Sequence, residues 1–153
     1  MKRELQDKLI AACPILYGQQ SNIYVQPAHI FTKFGFECGD GWWELLNDLS
    51  LKLEAYNNKR DNNYIVATQV KEKWGGLRFY IIGYCASDDE NNEVYTLIDA
   101  AETKSLEVCE ECGKPGECTD DGWLRTLCPR CVVERDAVPG EMRAKLLKET
   151  ANK

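Results

Sequence analysis

Four cysteines constrain this chain more than any other feature. Cys109-Glu110-Glu111-Cys112 is followed, after fifteen intervening residues, by Cys128-Pro129-Arg130-Cys131. A C-x2-C-x15-C-x2-C pattern falls within the spacing of four-cysteine zinc sites. Zinc takes thiolates at the corners of a tetrahedron, each about 2.3 Å from the metal. Two residues between paired cysteines let one tight turn aim both sulfurs at one point, and a hairpin brings two such turns together. Gly113, directly after Cys112, can take the left-handed backbone angles that a metal knuckle needs. Gly122 to Leu127 reads as a strand feeding the second knuckle, with Trp123 and Leu127 placed to cover the site from one side. The expected unit is a zinc ribbon with Cys109, Cys112, Cys128 and Cys131 as ligands and Zn2+ as structural cofactor. The competing reading is a pair of disulfides or free buried thiols, and nothing in the sequence suggests the secretory context that oxidation requires.

Such a site is closed: four thiolates leave no position for water, so the metal builds structure and does not catalyse. The other cysteines are Cys13, Cys38, Cys85 and Cys118. Cys13 and Cys85 stand among apolar neighbours and read as small core residues, whereas Cys118 lies inside the ribbon as a conceivable alternative ligand. With 153 residues and 44% hydrophobic content, the chain can bury one true core beside a small metal unit. No apolar run approaches the length that spans a bilayer, and the charged start Met1 to Lys8 does not resemble a signal peptide, so a cytosolic setting is expected. The formal net charge is -6, and four thiolates on one divalent zinc add a further -2. Non-specific binding to phosphates is disfavoured by that charge, though a local basic patch remains open.

Taken in order, Leu5, Leu9, Ala12 and Leu16 recur at helical spacing, and Pro14 ends or kinks that helix. Residues 18–33 show no period and hold the single histidine, His29, which reads as a surface or satisfied core residue. Asp40 or Gly41 can cap a helix running to about Asn57, with Trp42, Leu45, Leu46, Leu49 and Leu53 as its apolar face. Trp43 sits beside that stripe, either packed under the preceding loop or exposed as an anchor. Tyr64 to Val70 is rich in strand formers, Gly75-Gly76 supplies a two-residue turn, and Leu77 to Ile82 returns. Alternation puts Val70, Glu72 and Trp74 on one face, with Gln69, Lys71 and Lys73 on the other. Ser87-Asp88-Asp89-Glu90 is a capping box opening a helix to about Leu106, striped by Val94, Leu97, Ile98 and Ala101. Pro139 suits the first turn of a last helix bearing Met142, Leu146 and Leu147.

The expected fold is therefore α+β: helices packed on a β-hairpin or small antiparallel sheet, with a C-terminal zinc ribbon. Two units are expected, an α+β domain over 1–106 and a ribbon with its terminal helix over 107–153, the second docked on the first. No phosphate loop, histidine metal site or serine elbow is present, so no enzyme is expected. Asp61 with Gln69-Val70-Lys71 only faintly resembles the acid and Q-x-K pattern of metal-dependent nucleases.

Gly35-Phe36-Glu37-Cys38-Gly39-Asp40-Gly41-Trp42-Trp43, then Gln69 to Tyr80, then Gly122 to Cys128 together resemble small uncharacterised proteins encoded by bacterial viruses and prophages. The resemblance covers roughly residues 34–131. It implies a bacterial cytosolic setting and an accessory role, but no activity and no catalytic residues. The leading expectation is a non-enzymatic zinc protein that binds, and inhibits or redirects, a host or viral protein. Trp43, Lys73, Trp74, Arg78, Arg125 and Arg130 are its candidate contact residues. The alternative is a nucleic-acid-binding or transcription-linked adaptor, with Arg125, Arg130, Arg135, Arg143, Lys145 and Lys148 gathered on one face.

Overall fold

The computed structural model describes residues 1–18, 34–59, 65–83, 87–120 and 123–136. His29, Asp61, Tyr64, Cys85, Gly122 and the expected helix after Pro139, with Arg143, Lys145 and Lys148, lie outside the described residues. Within them the architecture is α+β: four helices, a small mixed sheet and a two-stranded ribbon sheet.

Helix α1 (Arg3–Ala12) stops before Pro14, and the turn that follows is fastened to the core by a buried acid. Glu54 receives the backbone N–H groups of Ile15 and Leu16 at 3.0 and 2.8 Å. Strand β1 (Phe36–Glu37) leads into a single 3-10 turn at Asp40–Trp42 and then helix α2 (Trp43–Asn57). This helix buries Leu46, Leu49 and Leu53, one side of the main core. At its end the Asn57 amide accepts from Ile65 N and donates to Ile65 O, both at 2.9 Å, and so starts the next strand.

Strands β2 (Ile65–Lys73) and β3 (Gly76–Gly83) form the antiparallel hairpin, with a bulge between Ala67 and Gln69. The sheet is not purely antiparallel, because β1 joins β2 in parallel at Phe36↔Val70. Two residues are too short for a periodicity signal. The hairpin turn also differs from expectation. Lys73 pairs with Gly76, so Trp74 and Gly75 make the turn, with φ of 56° and 79°. A non-glycine residue at positive φ is held there only by its surroundings. One hold is local and one tertiary: Glu72 accepts from Gly75 N at 2.7 Å, and Thr126 of the ribbon donates to Gly75 O at 2.6 Å.

Helix α3 (Asp88–Ser105) begins at Ser87, whose hydroxyl accepts from Glu90 N. Val94, Ile98 and Ala101 close the core over β3. Its last turns also cover the free edge of that strand. Ser105 Oγ accepts from Leu77 N at 2.8 Å and a Glu102 oxygen from Phe79 N at 2.9 Å. Exposed strand edges invite unwanted pairing, and these side chains occupy the groups that would do it. The chain then enters the ribbon, strands β4 (Glu117–Asp120) and β5 (Leu124–Leu127), and helix α4 (Pro129–Asp136).

Candidate metal centre and contact surface

The first knuckle is a turn closed by Cys109 N to Lys114 O at 2.7 Å and by Gly113 N to Cys109 O at 2.9 Å. Gly113 takes φ 74°, the angle that lets the chain double back after Cys112. The second knuckle opens helix α4. Pro129 occupies its first position, where a missing N–H costs nothing, and Val132 N reaches Cys128 O at 3.1 Å. β5 delivers Cys128 and pairs with β4 from Leu127↔Glu117 to Leu124↔Asp120.

The four Sγ atoms lie within 4.8 Å of one another. A tetrahedron with sulfurs about 2.3 Å from its centre has S···S edges of about 3.8 Å. Cys112 and Cys128 stand 3.6 Å apart, close to that edge and far beyond a disulfide bond. All four are free thiols, three buried and Cys112 half-buried. The group can therefore hold a metal ion.

Proton affinities within the cluster are uneven. The Cys131 backbone amide brings the Cys128 thiol down to about 7. Burial pushes Cys109 and Cys131 upward. A divalent cation in their midst favours all four thiolates and removes that conflict. Cys118 is exposed on β4 and stands outside the set.

The site is braced from the core by a stretch whose importance the sequence reading missed. Gly41 N donates to Glu110 O at 2.7 Å, and Gly39 N to the Glu110 carboxylate at 2.9 Å. A Cβ on Gly41 would fall 2.2 Å from Cys109 O and 2.6 Å from Cys112 N. Only glycine lets the two backbones meet so closely. The signal was two glycines flanking Asp40 ahead of Trp42, which reads just as well as a helix cap. Trp42 is fully buried and its indole donates to Val108 O at 2.8 Å, tying the core to the approach to Cys109.

The predicted contact residues divide. Trp43 packs against the core and donates to Leu5 O at 3.2 Å, so it serves packing. Arg125 is mostly buried. Although burial opposes its charge, Glu110 at 2.9 Å and Glu111 at 2.7 Å hold it ionised. Arg130 pairs with Glu134 on the exposed face of α4 at 3.5 Å. Arg78 reaches Glu102 at 3.4 Å. Lys73 lies 4.8 Å from the Trp74 ring, and Trp74 is 70% exposed.

Trp123 does not cover the metal site. It is 71% exposed, and Leu127 with Val132 does the covering. Trp123 instead shares one end of the molecule with Trp74. Gly75 sits on the ribbon hairpin, its Cβ position 3.6 Å from Leu124 C and 2.7 Å from Cys118 Sγ. Leu106, beside Gly76, and Leu124 are also exposed there. No described helix is long and apolar enough to cross a membrane. No protein-family model, curated protein or solved structure matches the chain.

Proposed function

We propose that this chain is a non-enzymatic zinc-binding protein whose metal is structural and whose two-hairpin end engages another protein. All-sulfur tetrahedral ligation suits zinc or an iron–sulfur centre, and the closed, two-knuckle spacing favours zinc. The observation that carries the binding role is the seam at Gly75. It sets two tryptophans, 70% and 71% exposed, on hairpins in direct contact. Tryptophan is among the residues enriched in binding hot spots, and the exposed Leu106 and Leu124 beside the pair extend the apolar patch. The metal fixes one of those hairpins, and so fixes the surface. A bacterial host or viral protein is the partner that the phage resemblance suggests, and the cytoplasm is the setting.

Two measurements test this. Elemental analysis of the purified protein should return one zinc per chain, and iron would overturn the metal assignment. Affinity capture of zinc-loaded protein from a nuclease-treated bacterial lysate should recover a stoichiometric protein partner. The Trp74→Ala/Trp123→Ala double variant should lose it while keeping its zinc. Equal recovery by wild type and variant would sink the proposed surface.

A further inference from the structure

We infer that the outer face of the three-stranded sheet is a binding site for single-stranded nucleic acid. This surface adjoins the tryptophan-bearing end at Lys73 and Trp74, but its centre, Lys71 and Tyr80, takes no part in the proposed protein contact. The inner face of the sheet carries Ile65, Ala67, Val70, Leu77 and Phe79, all buried in the core. Alternation sends Gln69, Lys71 and Lys73 of β2, with Arg78 and Tyr80 of β3, to the opposite side. Register puts Lys71 beside Arg78 and Gln69 beside Tyr80, and β1 adds Glu37 next to Lys71.

This face thus holds three cations against one carboxylate, in a chain with 19 basic and 25 acidic residues. Glu37 is itself engaged, accepting from Gln69 at 3.2 Å. Arg78 shares its charge with Glu102 at the strand edge. Lys71 and Lys73 have no carboxylate partner among the described residues. They rest on rings instead: Lys71 Nζ lies 5.6 Å from the Tyr80 centroid and Lys73 Nζ 4.8 Å from that of Trp74. Tyr80 is 43% exposed.

Flat aromatic surfaces alternating with ammonium groups match a polymer of planar bases on an anionic backbone. A base stacks on the ring, and the lysine moves from the ring to the adjoining phosphate. An acidic protein segment meets the same lysines but has less use for open ring planes. A duplex is disfavoured because the net charge of -6 repels its denser phosphates, and among the described residues this strand face carries no helix to enter a groove. Arg125 and Arg130 of the ribbon, by contrast, are already held by Glu110, Glu111 and Glu134.

The test is fluorescence anisotropy of zinc-loaded protein with fluorescein-labelled oligo-dT of about 15 nucleotides. Saturable binding is expected, with log K falling against log salt at a slope of roughly -1.4, from the two lysines at about -0.7 each. Tyr80→Ala should weaken binding roughly 5- to 150-fold. Lys71→Gln should reduce the slope by about 0.7 with an unchanged melting midpoint, and it keeps the test valid if Tyr80→Ala misfolds. Absence of binding at low salt overturns the inference. So does displacement by polyglutamate as efficient as by unlabelled oligo-dT, with Tyr80→Ala neutral, which would make the face an acidic-protein surface. Zinc content measured alongside separates loss of this site from loss of the ribbon.

Discussion

In the main body, order comes from apolar burial. Trp42, Leu46, Leu49 and Leu53 meet Val70, Leu77, Phe79, Val94 and Ile98 in one continuous cluster. Past residue 107 the buried cluster is three cysteines and Leu127, with Cys112 and Val132 packed against it. Among the described residues too little apolar surface is hidden there to offset the entropy of ordering the chain. A metal ion joining the four sulfurs would replace the missing core. The two regions should therefore fail in different ways, and the seam between them should show how far one depends on the other.

The largest effect is expected from stripping the metal. Structural zinc in small ribbons contributes about 10–16 kcal/mol of apparent binding energy. A strong chelator, or Cys128→Ala, should erase amide-exchange protection over the ribbon while Val70 and Phe79 stay protected. Uniform loss of protection along the chain would mean that the core has no stability of its own. Leu53→Ala comes next, at about 2–5 kcal/mol, because it leaves a cavity in the fully buried centre. Its melting temperature should fall, with zinc content at neutral pH unchanged at room temperature. Gly41→Ala probes the brace and should cost about 1–3 kcal/mol, since its methyl group collides with the knuckle backbone. Faster zinc transfer to a chromogenic chelator is its signature, and an unchanged rate would detach the brace from the metal. Thr126→Val is the mildest, removing one hydrogen bond to Gly75 at about 1 kcal/mol. Denaturant titration should resolve it as a small shift in midpoint.

Local rules were the legible part of the sequence. Cysteine spacing gave the cluster of four, and helical periodicity gave α2 and α3 with Ser87 at the start of the latter. What escaped was set by groups distant in sequence. Gly75-Gly76 looked like the turn, but Thr126, 51 residues further on, holds Gly75 so that Trp74-Gly75 makes it instead. Glu54 secures the amides of Ile15 and Leu16, a contact that helical periodicity does not mark. Trp123 looked like a lid for the sulfurs, and the short β5 leaves it outside. The close approach of Gly41 to the first knuckle left no periodic mark.

The cover that α3 places on β3 also carries a timing consequence. On the ribosome the hairpin emerges first, and its outer amides at Leu77 and Phe79 wait for Glu102 and Ser105. Until α3 has been translated, the nascent strand is open to pairing with a neighbouring chain. The cysteines follow immediately after that helix. Vectorial synthesis thus sheathes the edge of β3 before Cys109, Cys112, Cys128 and Cys131 arrive, so that any ion they take up meets a sheet already closed on that side.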